Sequence, residues 1–444
     1  MNKSLVGLVF LGLFSLLACN NDRLNDPYDR QIEESLNRVS PTGSYKYYQF
    51  PEVGDYAAIP HQDPHNIITA DKAELGKLLF HETGLAVDAA YPVGRGSYSC
   101  ASCHVASAGF TPGRFQGVAD GAVGVGENRR KLDIYTGTEV DAQGARPLSV
   151  LNVAYVTNML WSGIFGGSGV NEGTEAWWSF NPAAEINFEG LEGMESQNIE
   201  SLHLHRMSLS DELLDVYGYR ELFDRCFPEY PEAERYTDET VAFALGAYLR
   251  TVLANEAPFQ DWLKGDKTAM TASEKRGALL FLNEARCTNC HKGPSFNAME
   301  FHAIGASDLH EFDAVLNTSE DDRRSLGRAF FSGRTEDENC FKVPQLYNLK
   351  DYTHYFHGSS KTTLREVIEY KMAAQSENPR VGPEHLSDLF KPVDLSQQQV
   401  NDLLDFLENA LRDDNLERYV PESLPSGNCF PNNDLFSRIE LGCD

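Results

Sequence analysis

The chain is short of positive charge. Of 444 residues, 38 are Lys or Arg against 66 Asp or Glu, a formal net charge of −28. Nucleic acid and anionic lipid surfaces are bound through Lys and Arg, so this balance argues against both as partners. An acidic surface suits a soluble protein and the docking of a basic redox partner. The chain also lacks a long alternating strand pattern, which leaves a mostly α fold. Apolar residues are not scarce: 41% are hydrophobic and 11% aromatic, enough for a real core and for two to three domains of ordinary size.

The apolar run Leu5 to Ala18 follows Lys3 and is too short to span a bilayer, but it has the length of a signal-peptide core. It ends in "LLAC", which resembles a lipobox with Cys19 as the lipidated residue. Residues 1–19 are therefore read as a lipoprotein signal peptide and 20–62 as a polar tether. The protein is placed in the cell envelope, periplasm-facing or on the surface, anchored through Cys19.

Nine cysteines are present. Besides Cys19, Cys100 and Cys103 belong to "CASCH", and Cys287 and Cys290 to "CTNCH". The remainder, Cys226, Cys340, Cys429 and Cys443, permits two disulfides in an oxidising compartment. The short loop favours Cys429 with Cys443, leaving Cys226 with Cys340. C-x-x-C-H is the attachment signature of c-type haem: both thiols bind the vinyl groups and the next histidine reaches the iron. A zinc site would call for four ligands from paired C-x-x-C units. A thioredoxin-like pair would sit in a βαβ context, and none is evident. Two covalent haems are expected, on Cys100, Cys103 and His104 and on Cys287, Cys290 and His291.

The motifs sit in a degenerate repeat. "ELGKLLFHETGL" (Glu74 to Leu85) precedes the first and "KRGALLFLNEAR" (Lys275 to Arg286) the second, and Phe110 and Phe296 follow them. Both stretches carry Gly-x-Leu-Leu-Phe. Capping patterns at Thr271/Glu274 and Thr363/Glu366, and starts at Thr237 and Ser396, predict further helices. Residues 84–99 and 105–150 are Gly-rich loops of a length that suits wrapping a haem. The expected architecture is two cytochrome c-like haem domains with long loops and a haem-domain interface. Residues 63–265 are expected to form an N-terminal haem domain and 266–412 a C-terminal one; the family resemblance set out next makes the first peroxidatic and the second the electron-transfer domain. Residues 413–444 form a Cys-containing tail.

From Glu74 to Leu411 the order of motifs resembles the bacterial di-haem cytochrome c peroxidases, in the wider family that includes MauG. The likeness rests on "ELGKLLF", "SCASCH", "RPLSVLN" (Arg146 to Asn152), "LWSG" (Leu160 to Gly163), "RCTNCHKGPSF", "FKVPQLYN" (Phe341 to Asn348) and "YFHGS" (Tyr355 to Ser359). It implies a peroxidase that reduces hydrogen peroxide to water with electrons from a periplasmic donor, a small cytochrome or a copper protein. The rival within the family is a MauG-like enzyme that uses peroxide to oxidise aromatic residues of a partner protein. A plain electron carrier is a third reading, opposed by an open first iron. The resemblance makes Trp161 the relay between haems and Glu195 the distal acid and base, with Glu192 and Glu189 close by. A carboxylate suits that task when a partly dry pocket lifts its pKa. The family also implies a homodimer and a calcium ion between the haem domains, with no ligand assigned here.

Two departures stand out. After His104 the next histidine is His203, so the first iron is expected to have His104 as its only protein ligand. Met159 and Met194 lie in the gap, away from the family's ligand position. At the second iron, beyond His291, Thr353 stands where the peroxidases place methionine. Tyr355 matches the tyrosine of the MauG branch and His354 is its rival, so both remain candidate metal ligands. A phenolate or a second imidazole lowers the potential relative to a thioether. His357 matches a family position that is not a ligand, and His302 one near the second haem that is read as structural.

Overall fold

The computed structural model describes residues 26–312 and 314–443, so the signal peptide and Cys19 lie outside the described residues. The fold is mostly α, with many short 3-10 turns. Its named strands form two antiparallel ladders, β1 (Ala122–Val123) with β2 (Arg130–Lys131) and β3 (Ala298–His302) with β4 (Phe341–Val343). The longer helices are α1 (Pro27–Val39), α2 (Ala70–His81), α3 (Gly193–Leu204), α4 (Asp238–Thr251), α5 (Ala272–Leu282), α6 (Leu364–Ala373) and α7 (Gln397–Asp405). The capping patterns mark true starts. Thr237, Thr271, Thr363 and Ser396 each accept a hydrogen bond from the backbone three residues on. Each such bond satisfies a helix donor that has no partner within the helix, worth about 1 kcal/mol.

The two Gly-x-Leu-Leu-Phe stretches lie on α2 and α5, and each crosses a later helix. Gly76 packs on Ala244 of α4, and Gly277 packs on Asp402 of α7. A Cβ on either glycine would collide with the carbonyl oxygen opposite. Glycine here lets two helices meet backbone to backbone. The crossings hold Phe80 and Phe281, both buried, beside the histidines of the two C-x-x-C-H motifs, with ring centroids 6.3 Å from His104 and 6.5 Å from His291.

A second repeat is carried by backbone shape. Residues 146–163 recur as 342–359. Asn152 and Asn348 both adopt the left-handed conformation and both open a 3-10 turn. Asn152 receives the chain after α4, through Val252 and Ala254. Asn348 receives the chain after α7, through Leu411 and Asp413. Met159 bridges to Phe165 as Tyr355 bridges to Lys361, and Leu160 and Phe356 share a positive φ of 65° and 64°. The two copies exchange backbone bonds: Arg146 N–H donates to His357 C=O (2.7 Å) and Lys342 N–H donates to Trp161 C=O (2.9 Å). They thus meet face to face, and one apolar core runs through both halves.

The tail returns to the first motif. Ser99 and Ser102 hydroxyls donate to Pro431 C=O (2.8 and 3.1 Å), and Asn428 donates to Glu82 (3.1 Å). Cys429 and Cys443 form a disulfide, as the short loop implied. The pairing of Cys226 with Cys340 is not formed. Cys226 is a buried free thiol at the end of the helix Arg220–Cys226, and Cys340 is a free thiol bridged to Gly327 ahead of β4. Local packing places each on a different element, which spacing could not reveal.

Candidate haem cavity

Both C-x-x-C-H motifs open onto one cavity of about 450 Å3, lined by Cys100, Cys103 and His104 from the first and Cys290 and His291 from the second. Each motif begins with a single 3-10 turn, Cys100–Ser102 and Cys287–Asn289. His104 Nδ1–H donates to Phe110 C=O (3.1 Å) and His291 Nδ1–H to Phe296 C=O (2.6 Å). Both acceptors sit in a left-handed turn, with φ of 57° and 54°. This bond fixes the tautomer and leaves Nε2 as the free lone pair for a metal. Burial pushes both imidazoles down to about 4, so they are neutral, as a ligand must be. The four motif cysteines are free thiols.

The cavity carries more positive charge than the acidic sequence foretells. Arg146, Lys342, Lys371 and Arg324 line it. Burial lowers Lys342 to about 7, with Arg328 adding to the effect, and lowers Lys371 to about 8. Arg146 is 5% exposed, its Nε donates to Phe356 C=O (2.9 Å), and its buried Nη1 has no protein partner. An unpaired buried donor is costly unless a ligand meets it. Thiols, neutral imidazoles, an apolar lining and the unpartnered Arg146 Nη1 together fit an apolar macrocycle with anionic propionates. The residues present therefore fit two haem c groups. Among the described residues no three His, Cys, Asp or Glu side chains converge on a metal site, and Arg146 and Lys342 already place positive charge between the motifs.

Trp161 lies between the two halves. It lines the cavity, its Nε1–H donates to Arg146 C=O (2.7 Å), and its ring meets His357 edge-on at 6.2 Å. His357 stacks on Phe341 at 3.6 Å, and its Nε2 lies 3.0 Å from Asp308, itself bound by Arg380 and Asn378. At the second motif, Tyr355 is buried, lines the cavity and donates to Leu349 C=O (2.8 Å). His354 is turned aside, against Phe115 and Phe312 and on the Thr353 hydroxyl, and is not part of the lining.

Glu195 is placed differently from its expected role. It is fully buried, forms a two-pronged ion pair with Arg250, and accepts from Asn66 (2.9 Å). Asn66 also donates to Phe243 C=O (2.8 Å), and Arg250 Nε donates to His61 C=O (2.9 Å). A Cβ at Gly246 would stand 2.8 Å from the Glu195 carboxylate, so a glycine on α4 admits it. The pair fastens α3 to α4, and Glu195 is not part of the cavity lining. Glu189 is exposed and Glu192 half-buried, and neither lines the cavity. The stripe of α3 that does so is Gln197, Asn198, Ser201 and Leu204, followed by His205. His205 and its partner Asp141 were missed in the sequence, where attention stopped at His203, which is exposed. The signal was available: in "HLHR" the second histidine continues the 197, 201, 204–205 helical stripe.

Comparison with known proteins agrees with this construction. Residues 70–268 match the family model of di-haem cytochrome c peroxidase. A cytochrome-c peroxidase of Denitromonas iodatirespirans is 28% identical over 380 residues, covering 81% of this chain and 86% of the relative. The methylamine utilization protein MauG of Methylorubrum extorquens is 29% identical over 358 residues, covering 79% and 81%. Among solved structures, a MauG-like protein associated with microbial copper homeostasis superposes with a TM-score of 0.59 at 22% identity, covering 82% of this chain and 96% of its own. Among the described residues no helix is long and apolar enough to cross a membrane. Over about four-fifths of its length the chain is thus similar to cytochrome-c peroxidases and to MauG, and its residues 70–268 match the di-haem cytochrome c peroxidase model.

Proposed function

We propose that this protein reduces hydrogen peroxide to water, taking electrons from a small periplasmic cytochrome or copper protein. The observation that carries the reading is the shared cavity: two C-x-x-C-H motifs open into it from opposite halves, with Trp161 between them. Bound there, the haems would supply the iron that binds peroxide and the store that passes electrons to it.

The chain's own residues do the rest. Cys100 and Cys103 tether the first haem and Cys287 and Cys290 the second, while His104 and His291 offer Nε2 to the irons. Arg146, Lys342 and Lys371, which line the cavity, would offer positive charge to the haem propionates. Trp161 is held by its Nε1–H bond to Arg146 and by the Lys342 bond to its carbonyl, so the ring is fixed between the two halves. After His104 the next histidine in the chain is His203, and an iron held by His104 alone would admit peroxide without a reductive switch.

One observation favours the MauG-like alternative. Tyr355, not His354, lines the shared cavity, its hydroxyl donating to Leu349 C=O. An anionic phenolate on the second haem would lower that haem's potential and make it a poorer acceptor from a high-potential donor. Steady-state assays with peroxide and reduced cytochrome c or azurin-type copper protein test the proposal. Rapid turnover with either donor is the expected result. Slow turnover with tryptophan oxidation in a co-purified partner protein overturns it in favour of the alternative.

A further inference from the structure

We propose that His205, oriented by Asp141, moves the proton on the open side of the first haem site, the role that sequence likeness assigned to Glu195. The inference rests on the reading that Cys100, Cys103 and His104 hold a haem.

Three observations carry it. The first is vacancy of the expected group: both Glu195 oxygens are engaged by Arg250, with Asn66 on one of them, behind the cavity wall. The second is placement. His205 caps the C-terminus of α3 and lines the cavity together with His104, Cys100 and Cys103. Leu204, beside it and also in the lining, is 56% exposed, so the cavity reaches solvent at this point and peroxide and water have a route in. The third is orientation. His205 Nδ1–H donates to Asp141 Oδ2 at 2.7 Å, which leaves Nε2 as the ring's free base.

The surroundings hold that geometry. Asp141 is clamped by backbone bonds on both sides, its carbonyl accepting from Ala119 and its N–H donating to Asp120 (both 2.9 Å). Tyr98 O–H donates to the His205 carbonyl at 2.7 Å. Arg206, in a left-handed turn, bonds Asp120 (2.5 Å) and Glu139 C=O (2.7 Å). The charged and titratable groups that bear on His205 are Asp141, Arg206 and His104. Burial alone would lower the imidazole, but the charge and hydrogen bond of Asp141 outweigh burial and raise it.

The proton balance is closed. Hydrogen peroxide takes two electrons from the donor protein and two protons, and leaves as two waters. His205 Nε2 receives the proton of the oxygen that binds and returns it to the oxygen that departs, so that the O–O bond breaks with water as the leaving group.

The test uses the full holoprotein and the variants His205→Gln, Asp141→Asn, Glu195→Gln and Met159→Leu. Haem attachment is read by mass, spin state by EPR, and proton transfer by the rates of peroxide reaction and of cyanide binding from HCN across pH. His205→Gln should keep both haems and a high-spin first site, slow both rates by about 10²–10⁴-fold, and remove their pH step. Asp141→Asn should keep the step and move it to lower pH. Glu195→Gln should keep it in place while lowering stability. Unchanged rates in His205→Gln overturn the inference, as does loss of the step in Glu195→Gln. So does a low-spin first site that turns high-spin in His205→Gln or Met159→Leu, which would make that residue an iron ligand. Absence of covalent haem at Cys100 and Cys103 is a separate result, and it overturns the underlying reading.

Discussion

Around His104 and around His291 the chain uses the same parts in the same order. A helix with Gly-x-Leu-Leu-Phe crosses a later helix at the glycine, and a histidine bonds the carbonyl of a left-handed Phe. A loop pivoting on a left-handed Asn then closes the site. What faces the cavity from this frame differs. Met159 stands where the second half has Tyr355, Trp161 where it has His357, and Arg146 where it has Lys342. Only the first half receives the α3 stripe with His205. The same backbone therefore presents a thioether and an indole to the cavity from one half and a phenol and an imidazole from the other. The chemistry is divided by side chains alone.

The largest effects come from removing the anchors. Cys100→Ala with Cys103→Ala should abolish the first covalent haem and all peroxide reactivity. Cys287→Ala with Cys290→Ala should spare peroxide binding and stop electron supply. Protein mass and peroxide difference spectra check both, and the reverse pattern breaks the assignment of roles to the halves.

Next comes the fastening of the helices. Arg250→Met strands a fully buried Glu195 and should cost about 3–5 kcal/mol. In the second half the ion pair of Arg276 with Asp402 is 38% exposed on the arginine, so Arg276→Met should cost at most about 1 kcal/mol. Denaturant melts of the holoprotein measure both. Equal losses would show that the first half has no special dependence on its buried pair. Between these values lie Gly76→Ala and Gly277→Ala, where an added methyl meets a backbone carbonyl at a helix crossing. Each should cost about 1–3 kcal/mol. A marked difference between them would break the equivalence of the crossings.

The anchors were legible in the sequence because haem attachment demands a contiguous pentapeptide. The helix starts were legible because a cap is a local bond between residues three apart. Cys429 with Cys443 was legible because a short loop limits the partners. The repeat of 146–163 in 342–359 was not, since it lives in backbone dihedrals while the copies share only Asn152 with Asn348 and Thr157 with Thr353. Which of Tyr355 and His354 lines the cavity was equally hidden, because adjacent residues in extended backbone point to opposite sides. Glu195 misled for a related reason. A buried arginine that claims its carboxylate lies on another helix, and no local pattern announces the pair.

The smallest effect separates the two carboxylate–histidine pairs, Asp141 with His205 in the first half and Asp308 with His357 in the second. Asp308 is 1% exposed. Burial would raise its carboxyl, but His357 and Arg380 outweigh burial and lower it below the ordinary 3.8. Its contribution to stability is present above the ordinary value and is lost as pH falls through the lowered one. His205 is raised above the ordinary 6.5 by Asp141, against burial. Its contribution is fully present below the ordinary value and is lost as pH rises through the raised one. The second half should thus lose stability on the acid side and the first on the alkaline side. The alkaline loss should be the smaller, because the His205 side chain is 29% exposed and partly screened. Thermal melts of the holoprotein across pH, with Asp141→Asn and Asp308→Asn, read the two limbs separately. Asp141→Asn should flatten only the alkaline limb and Asp308→Asn only the acid limb. An alkaline limb that survives Asp141→Asn would mean that His205 titrates without its carboxylate, and the division between the halves would then rest on the haem ligands alone.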